Sequence, residues 1–117
     1  MQRIILKSKI HRARVTDSQL NYEGSLSIDP LLMKKANILP YEKVEIANIS
    51  NGQRFDTYAI EGKPNSGEIC LNGAAARLGS IGDLIIIMTY VVLPEENVSK
   101  HRPVVVLVDE QNHIISI

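Results

Sequence analysis

Hydrophobic and polar positions alternate along much of the chain, with the period of two that belongs to strands. In residues 10–15, His11, Ala13 and Val15 fall on one side, and Arg12 and Arg14 on the other. Residues 44–50 are a second β-type run. They lead into Asn51-Gly52, a strong hairpin signal, and residues 53–60 are the return strand. On it Arg54, Asp56 and Tyr58 share one face, and Phe55, Thr57 and Ala59 the other. Residues 62–67 read as loop from their Gly, Pro, Asn and Ser content. Residues 68–71, 84–93, 103–108 and 114–117 complete the predicted strands. Two segments read as helix. Asp29-Pro30 opens the first with a capping side chain and a proline at the first helical position; it ends at Ala36, before Leu39-Pro40. Residues 74–79 make one or two turns, with Gly79 as the stop. Many short strands, two small helices and no repeat or linker predict an all-β fold of barrel type.

Composition narrows the picture. The 117 residues suit one domain spanning 1–117. At 44% hydrophobic the chain is set apart from disordered sequences. Ile, Leu and Val supply 36 positions and aromatics only 4%, an aliphatic core suited to strands. The 13 Lys+Arg balance the 13 Asp+Glu, which argues against a chain built to neutralise nucleic-acid phosphates. The only cysteine, Cys70, has no intrachain partner. In Glu68-Ile69-Cys70-Leu71-Asn72 it reads as a small buried apolar residue rather than a reactive thiol. Ile4-Ile5-Leu6 is too short for the apolar part of a signal peptide, and no apolar run approaches about 18 residues. The expectation is a cytoplasmic protein with no membrane or nucleic-acid partner. His11, His101 and His113 lack ligand spacing, so no metal is expected.

Charge is uneven. Residues 1–24 hold five basic and two acidic side chains (+3), and residues 25–117 hold eight and eleven (−3). The basic segment either guards an exposed sheet edge or supplies cations to an anionic ligand. A chain this small has few residues with which to wall a deep cleft, so an active site would borrow a neighbouring subunit's wall.

The stretch with chemical content is Tyr22-Glu23-Gly24-Ser25. Alone, Gly24-Ser25 is an ordinary turn dipeptide. Here it follows Lys9-Ile10-His11-Arg12 and precedes Asn51-Gly52-Gln53-Arg54, Thr57-Tyr58-Ala59-Ile60, Asn72-Gly73-Ala74-Ala75-Ala76 and Gly82-Asp83. This ordered set, from Lys9 to about Asp109, resembles the pyruvoyl-dependent L-aspartate 1-decarboxylases. The resemblance implies a six- to seven-stranded double-psi β-barrel with two or more short helices. It further implies a homotetramer with active sites between subunits. The substrate would be L-aspartate, decarboxylated to β-alanine and CO2 for pantothenate and coenzyme A synthesis.

The resemblance also implies a proenzyme that cleaves itself between Gly24 and Ser25 into chains 1–24 and 25–117. The chemistry suits those residue types. Ser25 Oγ attacks the Gly24 carbonyl and exchanges an amide for an ester. β-Elimination of that ester leaves dehydroalanine, which hydrolyses to the pyruvoyl cofactor. Its ketone takes the substrate amine as a Schiff base and provides the electron sink that PLP provides elsewhere, so neither PLP nor metal is implied. Glycine at position 24 fits a bond held in a strained conformation. By resemblance, Thr57 holds the Gly24 carbonyl oxygen during the shift and later contacts the substrate. Lys9 and Arg54 receive the substrate carboxylates, Arg54 through its planar fork. Tyr58, on the strand face of Arg54, protonates the carbanion. Gly73, Ala74 and Ala75 leave room for substrate and offer backbone N–H groups. His11, Tyr22 and Asn72 flank the cleaved bond or the pyruvoyl group. Leu26, Ala47 and Arg77 depart from residues common in the family, and none of the three is assigned to chemistry.

A second reading stands beside this one: a non-catalytic oligomeric β-barrel that uses its basic strand to bind an anionic ligand or DNA. Self-cleavage into 24- and 93-residue pieces separates the two, since a binding module has no reason to cut itself.

Overall fold

Runs of Val, Ile and Leu with every second side chain turned inward become strands because each buries one face and pairs its backbone with a neighbour. The computed structural model describes residues 1–116. Its strands are β1 (Gln2–Arg14), β2 (Asp17–Gln19), β3 (Ser25–Ile28), β4 (Lys43–Asn48) and β5 (Arg54–Glu61), then β6 (Ile69–Asn72), β7 (Leu84–Pro94), β8 (Val104–Val108) and β9 (Ile114–Ser116). The helices are α1 (Pro30–Lys35) and α2 (Glu95–Val98), and a single 3-10 turn spans Gly73–Arg77. The strands form one mixed sheet in the order β2-β6-β3-β5-β4-β7-β1-β8-β9. The pairs β1–β8, β2–β6 and β3–β5 are parallel, and the rest antiparallel.

One core serves the whole sheet. Leu71 of β6, Leu26 and Ile28 of β3, Ile46 of β4, Ile87 of β7, Ile10 of β1 and Val106 of β8 all belong to the same buried cluster. Strands far apart in the sheet order can share a core only if the sheet curls round it, which is the barrel architecture the sequence predicts. Helix α1 adds Leu32 and Met33. Among the described residues no helix is long and apolar enough to cross a membrane.

Seven strands match the alternation read from the sequence; β2 and β3 are additional. All four residues of β3 are buried, so exposure does not separate its two faces, and its alternation, Ser25-Leu26-Ser27-Ile28, is only four residues long. Residue 117 of the predicted last strand lies outside the described residues. The face assignment in β1 needs correction. Arg12 has φ +62°, and the register with β7 shifts between Ile10 and Ala13. This bulge turns Ile10 as well as Ala13 and Val15 into the core, and leaves His11 half-buried outside the strict alternation. The hairpin is also looser than Asn51-Gly52 predicts, with β4 ending at Asn48 and β5 starting at Arg54. The Asn48 carboxamide oxygen accepts from the Ser50 and Asn51 N–H groups (2.8 and 3.2 Å), which ends the strand early. Helix α1 starts as expected, with Asp29 Oδ1 accepting from Leu31 N–H.

Candidate active site

Ser25 opens β3, and its surroundings follow from the two strands beside it. Antiparallel β6 sets Ser25 opposite Asn72 and Ser27 opposite Cys70. Residues two apart share a strand face, so these four side chains meet on the side away from Leu26 and Leu71. Asn72 Nδ2 donates to Ser25 Oγ at 3.0 Å and to Ser27 Oγ at 2.8 Å. Asn72 Oδ1 accepts from the Cys70 thiol at 3.2 Å. Ser25 Oγ donates to the Glu23 carbonyl, also at 3.2 Å. Ser25, Asn72 and Cys70 are 1%, 2% and 3% exposed. Burial first, then the nearby Asp17 and Glu68 carboxylates, push the Cys70 thiol up to about 11, so the sulfur keeps its proton and serves as donor.

On the other side of β3, parallel β5 sets Ala59 beside Leu26. Counting back along that ladder brings Tyr58 level with Ser25 and Thr57 level with Gly24. Tyr58 and Ser25 look onto a cavity of about 340 Å³ that Tyr22, Tyr41 and Ile60 also line. Its charged lining residues are Glu23 and Glu61.

Gly73 holds the segment before Ser25 in place. Its φ is +63°, and a Cβ there would stand 2.6 Å from the Tyr22 carbonyl oxygen and 2.7 Å from Gly24 N. Only glycine permits that approach. At Gly24 itself φ lies outside the left-handed region, and a Cβ would meet nothing within 4 Å. The strained glycine expected before Ser25 is therefore not what the backbone has there; the positional demand falls on Gly73. Ala74 is exposed, whereas the Ala75 side chain belongs to the core, so Ala75 can offer a ligand only its backbone.

The expected cations lie elsewhere. Lys9 projects from β1 between Met88 of β7 and Val105 of β8. Arg54 stands four residues from Tyr58 along β5, about 13 Å at strand spacing. Its Nη2 pairs with Glu45 Oε1 at 2.9 Å, and the Tyr90 hydroxyl donates to the same oxygen at 3.1 Å. Burial, then Glu45, push the Tyr90 phenol up. His11 lines a separate cavity of about 440 Å³ with Arg12, Arg14, Asp109 and Glu110. Its Nδ1 is buried without a hydrogen-bond partner among the described residues. Burial, then Lys9 and Arg12, lower its pKa. One chain thus brings together Tyr22, Gly24, Ser25, Thr57, Tyr58, Asn72 and Gly73, and the cavities of about 340 and 380 Å³ beside Ser25 and Asn72 are not lined by Lys9, His11 or Arg54. Among the described residues no three His, Cys, Asp or Glu side chains converge on a metal position.

Over residues 1–115 the chain matches the sequence model of the aspartate decarboxylase family. The chain belongs to that family. It is 60% identical over 116 residues to an aspartate 1-decarboxylase of Syntrophobacter fumaroxidans, covering 99% of this chain and 94% of the relative. It is 59% identical over 112 residues to one of Thermoanaerobacter pseudethanolicus, covering 96% of each. A third, from Clostridium acetobutylicum, is 60% identical over 113 residues, 97% of this chain and 89% of the relative.

Against this family background, the sequence reading missed Ser27, Cys70, Glu45 and Tyr90. The signal for two of them was present: Ser25-Leu26-Ser27 and Cys70-Leu71-Asn72 place polar atoms two apart on one strand face. Glu45 and Tyr90 reach Arg54 through cross-strand neighbours, which a single sequence does not display.

Proposed function

We infer that this chain is a carboxy-lyase that decarboxylates L-aspartate to β-alanine and CO2 for pantothenate synthesis, and that it first cleaves itself at Gly24-Ser25. The observation that carries the finer part is a serine hydroxyl, 1% exposed, at a strand head directly after Gly24, with Asn72 donating to its Oγ at 3.0 Å. Ser25 Oγ attacks the Gly24 carbonyl carbon; the C–N bond breaks, the ester C–O bond forms, and the Ser25 nitrogen gains a proton. Thr57, level with Gly24 by register, is the hydroxyl donor for the oxygen that becomes negative. Loss of the Ser25 α-proton expels the Gly24 carboxylate, and hydrolysis releases ammonia.

A pyruvoyl group so formed supplies the electron sink for decarboxylation. The surroundings of residue 25 fit it: Asn72 directs N–H groups there, and the cavity beside Tyr58 leaves room for substrate. Tyr58 holds the proton for the α-carbon once CO2 departs. That cavity carries Glu23 and Glu61, and a dianionic substrate needs cations. Lys9 and Arg54 are on the same chain but distant, so a neighbouring subunit of a homotetramer supplies them. Arg54 then exchanges the Glu45 carboxylate for that of the substrate. The expected compartment is the cytoplasm.

Intact mass after warm incubation tests this. Wild-type protein resolves into pieces of 24 and 93 residues and releases CO2 from aspartate, while Ser25→Ala stays whole and inactive. An uncut wild-type chain that releases no CO2 refutes the reading and favours the binding module.

A further inference from the structure

The Asn72 side chain is an amide, and a half-turn exchanges its oxygen and nitrogen. Two of its three partners are hydroxyls, which donate or accept equally well, so Ser25 and Ser27 alone leave both orientations open. The third partner is asymmetric. A thiol has one proton to give and accepts weakly, and Cys70 Sγ lies 3.2 Å from Asn72 Oδ1. Its other nearby acceptor, the Leu71 carbonyl, is farther at 3.9 Å.

We propose that Cys70 is a positioning residue for self-cleavage: its thiol holds the Asn72 amide in the orientation that presents N–H groups to Ser25 and Ser27. The proposal rests on the reading of Ser25 as the cleaving nucleophile. The orientation matters because charge builds on Ser25 Oγ as its proton leaves. An N–H donor at 3.0 Å steadies that charge, whereas an amide oxygen in its place repels it. The same orientation directs the Ser25 proton toward the Glu23 carbonyl and away from Asn72. Ser25, Asn72 and Cys70 are each buried, although Cys70 and Asn72 also stand at the wall of a cavity of about 380 Å³.

Two measurements test it. Cys70 is the only cysteine, so its S–H stretch is a single infrared band in the whole protein. The band is expected below the free-thiol position and is expected to return to that position in Asn72→Ala. Cleavage is followed by intact mass in wild type, Cys70→Ser and Cys70→Ala, two variants that differ in one hydroxyl donor. Cys70→Ala is expected to cut about five- to tenfold more slowly, the scale of one hydrogen bond, and Cys70→Ser to stay within about twofold of wild type. A free-thiol band in wild type overturns the proposal, as does equal slowing of both variants, which would assign the effect to lost volume. Cleavage of Cys70→Ala at the wild-type rate, with wild type cutting normally, overturns it alone. Wild-type protein that never cuts overturns it together with the self-cleavage reading.

Discussion

At Gly73 a hydrogen atom in place of a methyl decides where the chain before Ser25 can lie. A Cβ would press on the Tyr22 carbonyl oxygen and on Gly24 N, and would strain a backbone at φ +63°. Gly73→Ala is therefore expected to shift the Tyr22–Gly24 segment and slow self-cleavage by about 5- to 150-fold, the effect of about 1–3 kcal/mol of misplacement. A time course on a denaturing gel reads it; an unchanged rate would remove Gly73 from the cleavage geometry. The three side chains around Asn72 carry a related lesson. Asn72 was visible in the sequence through its neighbours Gly73 and Ala74, but Cys70 looked apolar because burial is the usual fate of a lone thiol. Burial and hydrogen bonding are not alternatives there: the thiol is 3% exposed and still has a partner.

Among the elements, α1 and β3 show why legibility was uneven. Helix α1 announces itself because a capping carboxylate and a proline act locally. The cap does more than the sequence reveals: the buried Asp29 carboxylate also accepts from Asn65 N–H at 3.1 Å and Gly67 N–H at 2.9 Å. It thereby ties the 62–67 loop to the helix start. Asp29→Ala, made in the uncut Ser25→Ala chain, is expected to lower unfolding stability by about 2–4 kcal/mol in urea titration, since several charge-assisted bonds go at once. A loss below about 0.5 kcal/mol would show that the loop is held by other contacts. Strand β3, by contrast, is buried on both faces, and its polar–apolar alternation, Ser25-Leu26-Ser27-Ile28, is too short to mark it; its place depends on β5 and β6, which arrive later in the chain. The bulge at Arg12 was hidden for a similar reason, because the shift is defined against β7.

For the whole molecule, the division of site residues is the informative feature. Ser25, Tyr58 and Asn72 cluster at one part of the sheet, while Lys9 projects from β1 and Arg54 from the far end of the strand that carries Tyr58. If a site joins the cluster of one subunit to the cations of the next, two defects can complement each other. Ser25→Ala and Arg54→Ala homo-oligomers are each expected to be inactive. Co-expressed in equal amounts they should recover about a quarter of wild-type activity, because random mixing pairs an intact Ser25 with a neighbour's intact Arg54 in that share of sites. Mixed oligomers as inactive as the parents would place both residues in one subunit's site. The barrel itself was legible from strand count and aliphatic content, whereas the proposed assembly has no signature in the hydrophobic pattern beyond the scarcity of walls.

Strand β1, the longest in the sheet, lies between β7 and β8 and sends Ile10 and Ala13 into the core. It also lies wholly on the N-terminal side of Gly24-Ser25. If that bond is cut as proposed, an interior stave of the barrel becomes a separate molecule, kept in place by its ladders and by opposite formal charge. The cut would then change the molecularity of folding. Before the cut, reaching the native topology is a first-order search by one chain; afterwards it is a second-order encounter that dilution penalises. On that reading, a mature molecule that unfolds has lost the covalent instruction that first assembled it, and each copy would carry its fold as an inheritance from its precursor.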